Sequence, residues 1–390
     1  MDPLPIARLQ FATTTTFHFL FVLLTLGLVT VVAITQTRAA ISGTPQLLRM
    51  TRFWGRLYVI NYALGITTGI VMEFQFGLTW TGLSAFAGDV FGAPLAIETL
   101  VAFFLESTFL GLWIFGWGRL NKWVHLATIW LVTLTAYASA LFIMVANSFL
   151  QNPVGSHLEN GVLRLDDFGA LLTNPALVAS LPHVLAAALA TGGFFVVGVS
   201  AYHFIKRTPE VDFFRRSMRI GVVTALAGSV LVIQQGFAQF GELAKYQPDK
   251  LDGNSTGVAT PLGVMVTIGF VMLLCTVVGT VLLYRNWLMR ARPLLYLMVP
   301  AIALPFGAAI GGWLVREIGR QPWLVWGQLR TADAISGVSA GQILFSFVAF
   351  GVLFAALAVA DWVLLSRIAR RGPEPEEAPA EPELPVLSGV

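Results

Sequence analysis

Three residues that could ligate a heme iron lie at similar depths in separate apolar segments. His18 lies two turns into the first segment, His183 is early in the fifth, and Met265 is early in the seventh. A His and a Met from different helices can fill both axial positions of a heme iron and so form a closed electron-transfer site. His18 has no obvious partner and suits a five-coordinate heme with one open face. Plainer interpretations stay open, because an intramembrane His can hydrogen-bond to a neighbouring helix and a Met can fill core space.

Two acidic residues, Glu98 and Glu106, lie in the third apolar segment. Eight residues of α-helix place them on adjoining faces, with one about 12 Å deeper than the other. Ionisable groups inside a membrane are costly, so acids at staggered depths are typical of a proton path. Hydrogen bonds to neighbouring helices explain the same spacing equally well. Asn147 ends the fourth apolar segment near the outer surface, where it could be a helix cap.

The remaining histidines are predicted to be structural or solvated. His125 begins the fourth segment, His157 lies in the following loop, and His203 ends the fifth segment. The single cysteine, Cys275, lies within an apolar run, so the sequence contains neither an intrachain disulfide nor a cysteine metal cluster.

The elements that must position these residues are long apolar helices. A bilayer is crossed by about 20 apolar residues in a helix, and backbone groups in lipid must be satisfied internally. The sequence therefore predicts an all-α bundle of membrane-spanning helices, in which the candidate ligands come from different spans. We predict nine spans, at 11–35, 54–76, 93–116, 122–149, 177–205, 215–240, 259–284, 293–315 and 337–368.

Composition agrees with a polytopic membrane protein. Of the 390 residues, 56% are hydrophobic and 12% are charged, against roughly 25% charged in soluble proteins. The mean hydropathy is +0.75. These values exclude a soluble enzyme, a nucleic-acid-binding domain and a disordered scaffold.

Positive charge predicts the orientation of the bundle. Seventeen of the 24 Lys and Arg residues lie in connections at one end, which the positive-inside rule assigns to the cytoplasm. We therefore expect the N-terminus outside and the C-terminus in the cytoplasm. Residues 1–371 form the predicted membrane domain. Residues 372–390 are rich in Pro and Glu, so we expect a disordered cytoplasmic tail.

Four long stretches closely resemble the large heme-bearing subunit of the cytochrome bd quinol oxidase family. The resemblance covers about residues 5–368 and implies nine helices with the N-terminus outside. The stretches are RLQFATTTTFHFLF from Arg8, FWGRLYVINYALGITTGIVMEFQFG at 53–77, GDVFGAPLAIETLVAFFLESTFLGLW at 88–113, and GWLVREIGRQPW at 312–323.

Roles for individual residues follow from this resemblance. It implies that His183 and Met265 ligate a low-spin heme b, and that His18 ligates a high-spin heme b or d at the oxygen-reducing centre. Glu98 and Glu106 match acids of the proton path and heme environment. The remaining matches are Asn147 and Ser139 on that path, Arg8, Trp313, Arg320 and Gln321 around the hemes, and Lys250 near the quinol site.

The same resemblance implies partners and a location. The family works with a second, heme-free membrane subunit, so we expect at least a heterodimer. Quinol and O2 are the expected substrates, a small accessory membrane peptide is a further expected partner, and nucleic acid is not one. The expected location is the bacterial plasma (inner) membrane, as a multi-pass protein.

Three positions depart from the family pattern. Ile310 replaces a Glu that ligates a further high-spin heme, so the sequence supplies no obvious ligand for a third heme. The segment 241–258 is much shorter than the family's quinol-binding loop, and Ser255 replaces its acid. Gly263 replaces an Arg two residues before the Met ligand, and losing that charge should make the heme easier to oxidise.

Two main functions are consistent with these features. The first is a quinol:oxygen oxidoreductase, the heme subunit of a bd-type terminal oxidase in the respiratory chain. It would build a proton gradient without pumping. The second is a bd-like membrane cytochrome b that takes electrons from another donor and has lost or altered the oxygen site. An ion-coupled transporter would not need the His183–Met265 pair.

Overall fold

The computed structural model describes residues 2–248, 257–285 and 287–375. Within these residues, nine helices are long and apolar enough to cross a membrane. This agrees with the predicted all-α bundle. In chain order they are α1 (Pro3–Ser42), α2 (Pro45–Leu78), α3 (Thr81–Phe115), α4 (Lys122–Gln151), α5 (Pro175–Lys206), α6 (Val211–Tyr246), α7 (Ala259–Tyr284), α8 (Arg292–Ile318) and α9 (Ala340–Arg371).

Several helix ends are set by local capping. The Asp2 side chain accepts a hydrogen bond from the Leu4 backbone at 2.9 Å and so begins α1. Gly43 ends α1 with φ +66°, a conformation that glycine adopts without strain. Ser339 and Gln342 form a reciprocal capping box at the start of α9. Polar caps extend these helices beyond the apolar spans predicted from hydropathy.

The third helix differs most from the sequence prediction of 93–116. It begins at Thr81, has a kink at Ala87, and contains a π-helical segment at Glu98–Phe103. A π-turn holds one more residue than an α-turn, so the chain rotates less per residue. The prediction that Glu98 and Glu106 lie on adjoining faces assumed a regular α-helix. The π segment turns Glu106 back towards the face of Glu98, and both acids line one cavity.

The centre of the bundle is the crossing of α1 and α5. A Cβ built on Gly27 would lie 2.2 Å from the Ala188 carbonyl oxygen, and one on Gly192 would lie 2.6 Å from the Gly27 backbone. Only glycine permits helices to approach this closely, as is typical of membrane helix packing. This contact fixes the relative position of the helices that carry His18 and His183.

Short extramembrane elements cover the end where α4 leads to α5. Strands β1 (Ser156–Glu159) and β2 (Val162–Leu165) form an antiparallel hairpin, followed by a short helix at Phe168–Leu172. A second small sheet pairs β3 (Trp323–Val325) with β4 (Leu329–Arg330) after α8.

The described part of the C-terminal tail contacts the opposite end. The Glu374 carboxylate pairs with Arg56 at 2.5 Å, and its backbone oxygen accepts from Arg49 at 2.7 Å. Residues 376–390 lie outside the described residues, so the predicted disorder of the tail stays a prediction.

We expect Gly27→Ala to destabilise the fold, because the added methyl group collides with backbone atoms of α5. Overpacking costs about 1–3 kcal/mol where side chains can yield, and backbone yields less. Thermal unfolding in detergent, followed by fluorescence-detected size-exclusion chromatography, measures the effect. The matched control is Gly111→Ala in α3, where a Cβ meets no atom within 4 Å. Equal melting temperatures for the two variants would contradict this account of the crossing.

Candidate functional site

His18 projects from α1 with its ring orientation fixed by α2. Its Nδ1 lies 2.9 Å from the Thr68 hydroxyl oxygen, and that hydroxyl donates to the Gly65 carbonyl at 2.6 Å. Because the hydroxyl proton is used there, the oxygen accepts from His18 Nδ1–H. This leaves the lone pair on Nε2. A Cβ on Gly69 would lie 3.0 Å from His18 Cε1, so the glycine makes room for the imidazole.

His183 is oriented in the same way by α6. Its Nδ1 lies 2.8 Å from the Val232 carbonyl oxygen, which can only accept, so Nδ1 carries the proton and Nε2 has the lone pair. A Cβ on Gly236 would lie 3.2 Å from His183 Cε1. A backbone carbonyl that fixes the tautomer in this manner is usual for a metal-ligating His.

Met265 projects from α7 against two adjacent glycines of α8. A Cβ on Gly312 would lie 2.9 Å from Met265 Sδ, and one on Gly311 would lie 3.2 Å from Met265 Cβ. The two glycines leave space for the thioether, and a larger residue at either position would occupy that space.

The two acids of α3 differ in their hydrogen bonding. Glu98 accepts from the Ser139 hydroxyl at 2.6 Å and from Thr99 at 3.3 Å. Glu106 is 5% exposed, and its Oε1 has no hydrogen-bond partner. The buried Tyr58 and Tyr62 side chains lie within interaction range of Glu106. Glu98 is therefore held by two hydroxyl donors, whereas one carboxylate oxygen of Glu106 is buried without a donor among the described residues.

One continuous cavity of about 830 Å³ connects all of these groups. His18, Glu98, Glu106, His183 and Met265 all line it. Most of the remaining wall is apolar, so the cavity combines a water-poor interior with a few convergent polar groups, as cofactor sites do.

The other predicted site residues divide into two groups. Ser139, Asn147, Trp313 and Arg320 line the cavity. Asn147 is not a helix cap, because α4 continues to Gln151, and its side chain accepts from Arg316.

Four predicted positions lie elsewhere. Arg8 is exposed near the start of α1, and Gln321 bonds within the loop after α8 by accepting from Thr331 at 3.0 Å. Ile310 is 37% exposed on the outer side of α8, so its side chain does not occupy the cavity. Lys250 lies outside the described residues.

The sequence reasoning missed three charged residues in the cavity wall, namely Glu73, Glu242 and Arg316. Glu73 of α2 lies near Glu98. Arg316 lies just beyond the predicted span 293–315, but α8 extends to Ile318 and carries it into the wall. A charged residue within a membrane-length helix is the signal that could have identified all three.

The other histidines have structural contacts, as predicted. His125 bonds to the Trp113 carbonyl at 2.9 Å and His203 to the Ala369 carbonyl at 2.7 Å. His157 lies on the exposed hairpin and contacts Asp166 at 2.6 Å.

These residues fit a heme better than a bare metal ion. Within the described residues, no group of three or more His, Cys, Asp or Glu side chains could hold a metal ion. The cavity instead presents two imidazole Nε2 atoms and one thioether, whose close glycines leave room beside the ligands. Buried donors without partners, at Trp313 Nε1 and on the Arg320 guanidinium, can serve an anionic group within the cavity.

Comparison with known proteins gives a consistent result. The family described as cytochrome bd terminal oxidase subunit I matches residues 6–256 and 257–373. Cytochrome bd ubiquinol oxidase subunit 1 of Bacillus subtilis (strain 168) is 39% identical over 445 positions, covering 96% of this chain and 95% of the relative. Cytochrome bd-II ubiquinol oxidase subunit 1 of Escherichia coli (strain K12) is 30% identical over 500 positions, covering 95% of this chain and 97% of the relative.

A solved structure has the same fold. The bd oxidase from Geobacillus thermodenitrificans superposes with a TM-score of 0.86 and 27% identity, covering 95% of this chain and 99% of the other. Both sequence alignments are longer than the 390-residue chain, so those relatives contain segments that this chain lacks. Together with the nine candidate spans, the matches indicate a multi-pass protein of the bacterial inner membrane. The chain belongs to the cytochrome bd terminal oxidase subunit I family.

Proposed function

We propose that this chain is the heme-bearing subunit of a bd-type terminal oxidase that passes electrons from a quinol to O2. The observation that carries the proposal is the single cavity into which two oriented imidazoles, one thioether and two acids project. The names of the relatives, which are ubiquinol oxidase subunits, support the same reaction class.

His183 and Met265 would hold a low-spin heme b, and His18 would hold a high-spin heme b or d. Such hemes would carry electrons one at a time and, at the open site, bind O2. The protein's contribution is to fix each imidazole: Thr68 and Val232 hold Nδ1–H, so each Nε2 is available without reorganisation. Apolar walls around these groups exclude water that would otherwise compete for the open position.

The acids of α3 would deliver protons to the oxygen site. Glu106 lies about two turns closer than Glu98 to the predicted cytoplasmic end of α3, and the Ser139 hydroxyl already binds Glu98. A proton held at Glu106 could therefore move to Glu98 and its Ser139 partner, which line the same cavity as His18. Uptake from the cytoplasm, with quinol protons released outside, would build a gradient without pumping.

The segment that would bind the electron donor is 241–258. The segment 241–258 is short, and Lys250 and Ser255 lie outside the described residues. The second candidate function, a bd-like cytochrome b with another donor, is favoured by this short segment and by Ile310.

A second, heme-free membrane subunit would complete the complex. The last helix presents large apolar side chains at a helical repeat, with Phe345, Val352, Val359 and Trp362 each more than 60% exposed. A membrane partner or lipid must cover such a surface. Quinol, O2 and a small accessory membrane peptide complete the proposed partners.

We expect His183→Ala and Met265→Leu each to abolish the same low-spin b-type band in reduced-minus-oxidised spectra, because each removes one axial ligand of the same iron. Protein quantity, measured by immunoblotting of membranes, should stay near wild type. The controls are His157→Ala, on the exposed hairpin, and Met218→Leu, a buried Met outside the cavity. A normal low-spin band in either ligand variant would overturn that ligand's assignment.

We expect the purified complex to consume O2 when a small artificial reductant is the electron donor. With ubiquinol or menaquinol the rate should be lower, because the segment 241–258 is much shorter than the family's quinol-binding loop. His18→Ala should abolish O2 consumption while keeping the low-spin band. No O2 consumption with any donor, from a protein with an intact low-spin band, would instead favour the second candidate function. Fast quinol oxidation that is lost in Lys250→Ala would show that the short segment suffices.

We expect two hemes per chain rather than three. Ile310 cannot ligate iron, and its side chain lies outside the cavity. His18 and the His183–Met265 pair then account for one open and one closed heme. Pyridine hemochrome assays, with iron counted independently, measure the ratio, and three hemes per chain would contradict the prediction.

A further inference from the structure

Arg316 is a buried cation in the cavity wall that the described residues around it leave uncompensated. It lies in α8, lines the cavity, and donates from Nε to the Asn147 side-chain oxygen. Its Nη2 is buried and has no hydrogen-bond partner. Asn147 is neutral, so this hydrogen bond does not balance the charge.

The nearest charged side chains do not neutralise Arg316 either. They are Arg320 and Glu317, which pair with each other at 2.7 Å. Among the described residues, no carboxylate lies within 4 Å of the Arg316 guanidinium. An unpaired cation within a membrane-spanning helix is costly, so its presence fits a bound group that gains from positive charge.

Arg316 lies close to both candidate ligands of the low-spin heme. It is one helical turn beyond Gly312, whose Cβ position would be 2.9 Å from Met265 Sδ. It is also within electrostatic interaction range of the His183 imidazole. The charge therefore lies beside the space that these two ligands share.

We propose that Arg316 raises the midpoint potential of the low-spin heme by stabilising its reduced form. This inference rests on the proposed function, in which His183 and Met265 ligate that heme. The oxidised iron carries one more positive charge than the reduced iron, so a nearby cation disfavours oxidation, and a water-poor site screens the effect weakly. Position 263, two residues before the Met ligand, is Gly in this chain. Because Gly263 carries no charge, Arg316 on α8 would supply the positive charge to this heme.

The test is a redox titration of the low-spin band in the purified complex. At a fixed ambient potential near the wild-type midpoint, we expect Arg316→Gln to lower the ratio of reduced to oxidised heme at least tenfold. For one electron this is a shift of 59 mV. Arg316→Lys keeps the charge and should change the ratio less than threefold.

A matched control and a second variant make the test decisive. Arg330→Gln removes an exposed cation near the same end of the protein, where it stacks on Trp323, and should leave the ratio unchanged. Arg316→Met removes the charge and keeps an unbranched, largely apolar stem. Although Met is shorter than Arg, it places no polar donor in the buried site, so this variant should accumulate even if Arg316→Gln does not, and we expect the same tenfold change.

The outcomes separate this inference from the proposed function. A low-spin band with an unchanged midpoint in Arg316→Gln or Arg316→Met would overturn the inference and leave the ligand assignment standing. A shift of equal size in Arg330→Gln would also overturn it, because the effect would then not depend on the cavity. An error in the ligand assignment would be detected by a separate measurement, because the low-spin band would then persist in His183→Ala or Met265→Leu.

Discussion

The scarcity of water inside the bilayer constrains the rest of this structure. A polar group there needs a partner within the protein, so each one in the cavity wall either has a local partner or is available to a bound group. Thr68 and Val232 satisfy the Nδ1–H groups of His18 and His183, which fixes both tautomers and leaves both Nε2 atoms available. The same constraint applies to Arg316, whose buried Nη2 has no partner among the described residues and is therefore available to a bound group.

Close helix packing brings these hydrogen-bonded residues together in one site. The contact of Gly27 with Gly192 brings α1 and α5 together at the centre of the bundle, so the helices bearing His18 and His183 share a wall of the same cavity. Gly312 makes the corresponding space for Met265 between α7 and α8. The glycines thus influence how far apart the candidate ligands lie. A larger residue at Gly27 or Gly192 would meet backbone atoms and move a helix, whereas one at Gly312 would displace the Met265 side chain.

Charge is distributed unevenly around the cavity, and the unevenness has a chemical use. Glu98 and Glu106 lie on the side formed by α3, where protons would travel, whereas Arg316 and Arg320 lie on α8 beside the candidate low-spin ligands. Glu317 also lies on α8, where it pairs with Arg320, so Arg316 carries the remaining positive charge on this side. In the proposed function, proton delivery along α3 and electron transfer beside α8 would share one apolar cavity.

Sequence alone determined the class of fold, because apolar length is a property of each segment and does not depend on its neighbours. The nine spans, the family resemblance and the candidate ligands His18, His183 and Met265 all came from the sequence. Tertiary structure decided what depends on neighbours: the π segment that brings Glu98 and Glu106 to one cavity, and the Arg316–Asn147 contact. It also decided the exposure of Ile310. Rotation about a helix axis and the choice of a polar partner are set by packing between helices, and hydropathy along one chain does not contain that information.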